Sequence, residues 1–155
     1  MKNLILIALV LILTSCSSQQ KKEPYKLELK NSSVNMINSM TPYTQVEQSL
    51  IGYDVEGYSA LNGDSMERVK FVTLNGNEYM IIHPDSSKEK IKQITFRTDY
   101  VKKRYKMKTT LKQLKDDSLT CKKSDKTTTC IDEKEPNVEY MLKDEKLFEI
   151  RVVLN

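Results

Sequence analysis

The sequence predicts an α+β domain, an antiparallel β-sheet with two short helices packed on it. Three observations lead there. Apolar residues recur at alternate positions in a series of short runs, which is the period of a half-buried strand. Two other segments open with helix-start signals, Thr41-Pro42 and Thr110 with Gln113. Between two of the alternating runs stands Asn75-Gly76, the dipeptide best suited to a tight hairpin turn because both residues tolerate positive φ.

Taken in chain order, Tyr25, Leu27 and Leu29 alternate with Lys26, Glu28 and Lys30, the pattern of a half-buried strand, which a short linker segment could also show by chance. Thr41 can cap a helix, Pro42 suits its first position, and Val46 and Leu50 recur at helical spacing until Gly52 ends the run. Strands are then predicted over 53–58, 67–74, 78–83 and 90–98, the last burying Ile91, Ile94 and Phe96 and turning Lys90, Lys92 and Arg97 to water. Thr110 and Gln113 form a capping-box pattern for a second helix, which buries Leu111 and Leu114. Four more strands follow over 119–123, 127–132, 138–142 and 147–154. The last places Phe148, Ile150, Val152 and Leu154 on one face, so it is expected in the middle of the sheet.

The two halves echo one another. Gln45-Val46 with Ser49-Leu50 is matched by Gln113-Leu114 with Ser118-Leu119, and Glu78-Tyr79-Met80 recurs as Glu139-Tyr140-Met141. Each triplet is followed by a charged turn and an Ile-containing strand that ends in Arg97 or Arg151. A helix-plus-meander unit used twice accounts for this, and chance similarity over so few positions is the competing account.

The N-terminus carries an address rather than fold. After Lys2, residues 4–13 are wholly apolar, far short of the roughly 20 residues that span a bilayer, so residues 1–15 read as a signal peptide. Leu13-Thr14-Ser15-Cys16 resembles the lipobox of bacterial lipoproteins, in which two small residues fit the peptidase and the cysteine thiol takes a diacylglyceryl group. Several acyl chains on Cys16 would hold the protein firmly on its membrane. Residues 16–24 are polar and aperiodic, a flexible tether, leaving 25–155 as one domain.

With Cys16 lipidated, Cys121 and Cys130 remain of the three cysteines, and an oxidising compartment favours their pairing. If the chain folds back through Ser124-Asp125-Lys126-Thr127, the two face each other across an antiparallel ladder. The competing reading, a metal or redox site, calls for shorter spacing and more ligands.

Composition weighs against most enzyme classes. The net charge of +4 is mild, with no case for a nucleic-acid partner. His83 is the single histidine, and its place before Pro84 reads as a turn or sheet-edge residue; triads and histidine-based metal sites need more. Glycine, at four residues, is too scarce for a phosphate-cradling loop. No cofactor or metal site is therefore expected. A pair of carboxylates could serve glycoside chemistry only if folding brought them together, and Asp116-Asp117 and Asp132 to Glu135 lie in charged turns. One basic run stands out: if extended, residues 102–108 would set Lys102, Arg104, Lys106 and Lys108 on one side, a ladder for lipid phosphates or an anionic glycan. A solvated connection, or an edge strand guarded by lysines, is the plainer reading.

The order of these features resembles the envelope-stress (sigma-E) regulated outer-membrane lipoproteins of enterobacteria, a domain of unknown function. The likeness runs through Pro42 to Leu50, Gly52, Asp54, Gly57, Phe71, Asn77 before Met80-Ile81, the Ile91 to Ile94 strand, Cys121 with Cys130, Tyr140 and Ile150. The cysteines lie closer together here than in that family, and the C-terminus is shorter. The resemblance implies an α+β domain facing the periplasm, residence in the outer membrane and no established enzymatic role. The expected function is non-enzymatic: an exported, lipid-anchored module that binds an envelope protein, lipid or glycan. Inhibition of a hydrolase such as lysozyme, and a glycan-active enzyme, are the alternatives.

Overall fold

The computed structural model describes residues 26–30, 33–34, 37–62 and 65–154. The signal peptide, Cys16, the tether and Tyr25 lie outside the described residues.

The chain is mostly β. A short ribbon pairs β1 (Leu29–Lys30) with β2 (Ser33–Val34). The main sheet is built from β3 (Asp54–Asn62), β4 (Ser65–Leu74), β5 (Asn77–Pro84), β6 (Ile91–Phe96), β7 (Thr120–Ser124), β8 (Thr127–Asp132), β9 (Glu135–Lys143) and β10 (Lys146–Val153). Its order is β3-β4-β5-β6-β10-β9-β8-β7, antiparallel throughout. Two four-stranded meanders thus meet at their last strands, with Phe96 opposite Ile150 and Ile94 opposite Val152.

The expected α+β class with two packed helices is overturned. Residues Tyr43–Gln45 form one 3₁₀ turn that runs into α1 (Val46–Ser49), and α2 (Leu111–Asp116) has six residues. Neither is long enough to form a helical layer, and segments this short take their stability from packing, not from propagation. The start signals themselves are real. Thr110 Oγ1 accepts from the Gln113 N–H while the Gln113 side chain accepts from the Thr110 N–H, but a cap marks where a helix begins and sets no length. Gly52, at φ 90°, stops the first one. Each half of the chain is accordingly a strand meander preceded by a turn or two, not a helix-plus-meander unit.

Turn chemistry explains the hairpins. Asn75 and Gly76 both have positive φ, 51° and 76°, the pattern whose twist matches that of the flanking strands. Asp144 and Glu145 do the same at 50° and 61° between β9 and β10, without a glycine to relieve the steric cost.

One apolar cluster holds the layers together. On one face of the sheet Val72, Met80, Ile82, Ile94, Phe96, Tyr140, Leu142, Ile150 and Val152 are buried. Leu27, Val34, Ile37, Val46, Leu50, Val101, Tyr105 and Leu114 come down on them from the ribbon, the helical turns and the 97–110 connection. The closing strand is central as expected, but its inward set differs. The register shifts between Leu147 and Glu149, so Leu147 is buried and Phe148 points out, 37% exposed. A bulge of this kind reverses the alternation for the residues before it.

Two stability measurements test this account. Ile150→Ala should cost about 2–5 kcal/mol, because a fully buried side chain at the seam leaves a cavity; a loss under about 1 kcal/mol in urea unfolding would place the seam outside the core. Glu145→Gly should stabilise by about 0.5 kcal/mol or more by relieving the positive φ, and a destabilised variant would refute the turn assignment.

Candidate functional site

The second face of the sheet is the candidate site. Val69, Ile81 and Met141 are buried on it yet belong to no part of the main apolar cluster, so they are shielded by their neighbours on the face and not by the covering layer. Those neighbours are polar. Alternation along β4, β5, β6 and β10 brings Glu67, His83, Gln93, Thr95, Arg97, Glu149 and Arg151 to this side.

Two linked networks result. Glu149, its side chain 4% exposed, lies between two guanidinium groups: Arg97 Nε donates to Oε2 at 2.8 Å and Arg151 Nε to Oε1 at 2.6 Å. Both arginines reach into solvent, at 52% and 37% exposure. Beside them, His83 Nδ1 lies 3.0 Å from a Glu67 carboxylate oxygen and Nε2 lies 3.2 Å from Thr95 Oγ1. A carboxylate only accepts, so Nδ1 carries a proton, and the Thr95 hydroxyl is the partner of Nε2. Gln93 Nε2 donates to that same hydroxyl at 2.9 Å. Thr95 sits opposite Arg151 across the β6–β10 seam, which brings the two networks side by side.

His83 therefore occupies the interior of the sheet, paired with Gln93, and not a turn or sheet edge as its neighbour Pro84 suggests. Its partners Glu67, Gln93 and Thr95 lie up to 16 residues away, beyond the reach of any local pattern. The one local signal was a polar residue inside an otherwise apolar strand, Thr95 between Ile94 and Phe96 and Glu149 between Phe148 and Ile150.

The basic run follows a different course. Residues 102–108 form bends and turns, so the extended ladder is not made. Lys102 pairs with Glu28 at 2.9 Å, and Arg104 pairs with Asp132 and lies over the Tyr105 ring. Lys103, absent from the expected ladder, is buried and donates to Asp99 and to the Thr98 carbonyl. Tyr105 is buried in the core cluster and donates to Asp117 at 2.9 Å; burial first, then that carboxylate, push its hydroxyl up to about 12. Lys106 and Lys108 remain exposed, the latter at φ 69°.

Two carboxyls hold this segment in place. Burial alone would raise Asp99, but the Met107 N–H and the Lys103 ammonium outweigh it and hold the carboxyl below its ordinary value. Asp132 is held low by the Lys134 N–H and by Arg104, against burial.

Cys121 and Cys130 are register partners joined by a disulfide with a Cα–Cα distance of 4.1 Å. They tie the outermost strand to the sheet on its covered face, where Cys130 is fully buried. Among the described residues, no group of three or more His, Cys, Asp or Glu could hold a metal ion, and no helix is long and apolar enough to cross a membrane.

Fold and site together define a small, disulfide-bonded, mostly β protein in which the described residues cover one face of the sheet and leave the other open and polar. No protein-family model matches the chain, and neither does any curated protein sequence. Among solved structures it is similar to the crystal structure of the uncharacterized protein yfeY from Escherichia coli, with a TM-score of 0.59 and 17% identity. The match covers 81% of this chain and 99% of that one. At this identity the likeness is one of fold.

Removing the two sides of the central ion pair should have unequal effects. Glu149→Leu leaves two guanidinium groups that water can solvate, and should cost about 1–2 kcal/mol. Replacing Arg97 and Arg151 together by leucine strands a buried carboxylate and should cost about 3 kcal/mol or more; equal losses in chemical unfolding would show that Glu149 is solvated. Acid should also loosen the 97–110 connection. Asp99 and Asp132 have depressed values in the folded state, so their stabilisation is complete above the ordinary carboxylate value of 3.8 and lost as pH falls through the lower folded values. Protection of the connection against hydrogen exchange, taken relative to the intrinsic amide rate at each pH, should therefore fall below about pH 4, less so in Asp99→Asn.

Proposed function

We propose that this chain is a non-enzymatic, lipid-anchored binding module of the bacterial cell envelope. It is exported, fixed through Cys16, and carried on the outer membrane facing the periplasm. It uses the open face of its sheet to hold an anionic group of an envelope protein, lipid or glycan. The observation that carries this reading is the pair of guanidinium groups on Glu149. Each arginine uses its Nε for the buried carboxylate, so both side chains are fixed in place. The Nη groups have no further partner among the described residues, and a planar pair of donors suits a carboxylate or phosphate.

Two further points support it. Glu149 is held by two guanidinium groups and Glu67 by His83, an arrangement suited to recognition more than to turnover, since a general base or nucleophile must be poised toward substrate. The lipobox-like Leu13-Thr14-Ser15-Cys16 and the disulfide agree with an exported, oxidising setting. The likeness to the sigma-E regulated lipoproteins agrees with an envelope role.

Both parts can be tested in cells. Native protein should carry acyl chains on Cys16 by mass spectrometry, and Cys16→Ser should leave the membrane fraction; an unmodified Cys16 removes the anchor. A photo-crosslinking residue at position 139, opposite Arg151 on the open face, should give a discrete adduct that the same residue at position 126, in the remote β7–β8 turn, does not. Identical patterns at the two positions would eliminate the open face as the binding surface.

A further inference from the structure

The two edges of the sheet are not treated alike. β7, at one edge, has five residues, carries Lys122 and Lys123, and is tied down by the disulfide. Lysines on a short edge are a standard guard against pairing with another chain. β3, at the other edge, has nine residues, Asp54 to Asn62, with neither lysine, arginine nor proline. Among the described residues it has β4 on one side and no strand on the other. Alternate residues of an antiparallel strand direct N–H and C=O away from the partner. Counted from the Asn62–Ser65 pair at the hairpin end, the outward set includes Ser59. The Arg68 carbonyl agrees with this count, for it turns from Ser59 to accept the Tyr43 hydroxyl at 3.0 Å.

Side-chain chemistry lies along the same edge. Tyr58 and Phe71 meet edge to face, with centroids 5.2 Å apart. With Glu56, Ser59, Ala60 and Thr73 they line a depression of about 320 Å³. Tyr58 is 49% exposed, and Leu61 and Met66 beyond it are 73% and 67% exposed. The charged residues of β3 are Asp54 and Glu56, both acidic. They share the Tyr58 side of the strand with Glu67 of β4, which is already engaged by His83.

We infer that β3 is a strand-addition site for an extended segment of another polypeptide, one that carries apolar and basic residues in turn along a single face, two positions apart. The backbone of the incoming segment pairs with the outward groups of β3. An apolar side chain seats in the depression beside the Tyr58–Phe71 pair, and a lysine or arginine two residues along meets Asp54 or Glu56, the latter already accepting the Tyr58 hydroxyl. Main-chain pairing supplies affinity in this mode of recognition, and alternate side-chain pockets supply choice. The inference goes beyond the anionic site on the open face and uses none of its residues, so either can fail while the other stands.

The test uses the purified full chain in detergent micelles and two synthetic ten-residue probes. One repeats Val-Thr-Lys-Thr, so that valine and lysine share a face, and the other has glutamate at each lysine position. The lysine probe should bind at least ten times more tightly, and should slow hydrogen exchange of β3 amides while leaving β7 unchanged. Ser59→Pro, which removes an outward N–H, and the double variant Asp54→Lys with Glu56→Lys should each weaken it at least tenfold. The charge reversal alters only exposed side chains, and unchanged circular dichroism verifies that both variants fold. Equal binding of the two probes, or protection away from β3, would overturn the inference. So would concentration-dependent self-association through β3 in sedimentation, which would make a second copy of this chain the occupant.

Discussion

Everything in this molecule hangs on the pairing of β6 with β10. Each meander is built from neighbouring strands joined by short turns, so its contacts are local. The seam is the exception, because Phe96 and Ile150 lie 54 residues apart in the chain and meet directly. Closing so large a loop costs entropy before any contact repays it, and the repayment is visible on both faces of the seam. On the covered side Ile94, Phe96, Ile150 and Val152 are fully buried. On the open side Thr95 faces Arg151, and Arg97 crosses to Glu149. The same pairing that completes the hydrophobic core therefore assembles the polar site.

That coupling gives Glu149 a structural as well as a functional meaning. A carboxylate with 4% exposure would be strongly unfavourable by itself, and each guanidinium offsets part of the desolvation. The arginines differ from their partner in having an exit to water. In the proposed binding role, Glu149 is the anchor and the arginines the surface, and fixing their Nε atoms would reduce the side-chain entropy that a ligand has to quench. An apolar residue in its place would pack as well and orient nothing.

What the sequence made legible was whatever depends on near neighbours. Asn75-Gly76 marked its hairpin because both residues accept positive φ, and Thr110 with Gln113 marked a cap that the structure reproduces atom for atom. The cysteines could be paired across a ladder because the turn between them fixes the register. Strand positions came through for the same reason, since alternation is a local period. What failed was length and long-range partnership. The helical start signals said nothing of how soon the helices stop, and a sheet of this breadth leaves them no layer of their own. The bulge between Leu147 and Glu149 exchanged Leu147 for Phe148 on the inner face, and no periodicity announces a bulge. The basic run was read as one ladder because its anions were out of sight: Glu28 lies 74 residues from Lys102, and Asp132 lies 28 from Arg104.

An eight-stranded open sheet has two faces and two edges to account for, and here each is handled differently. One face is closed by segments too short to be stable alone, held by Leu27, Val46, Tyr105 and Leu114 against the strands. No described residue closes the other, and the polar residues there satisfy one another so completely that, among the described residues, no buried side-chain nitrogen or oxygen lacks a partner. Satisfaction of that kind is what allows a sheet to keep a face toward water without a helix over it. At the edges, the disulfide and lysines of β7 deny pairing, whereas β3 carries acidic and aromatic side chains on a backbone that no described strand covers. A chain with no use for an edge is expected to blunt both; blunting one and leaving the longer one bare points to contact with another polypeptide.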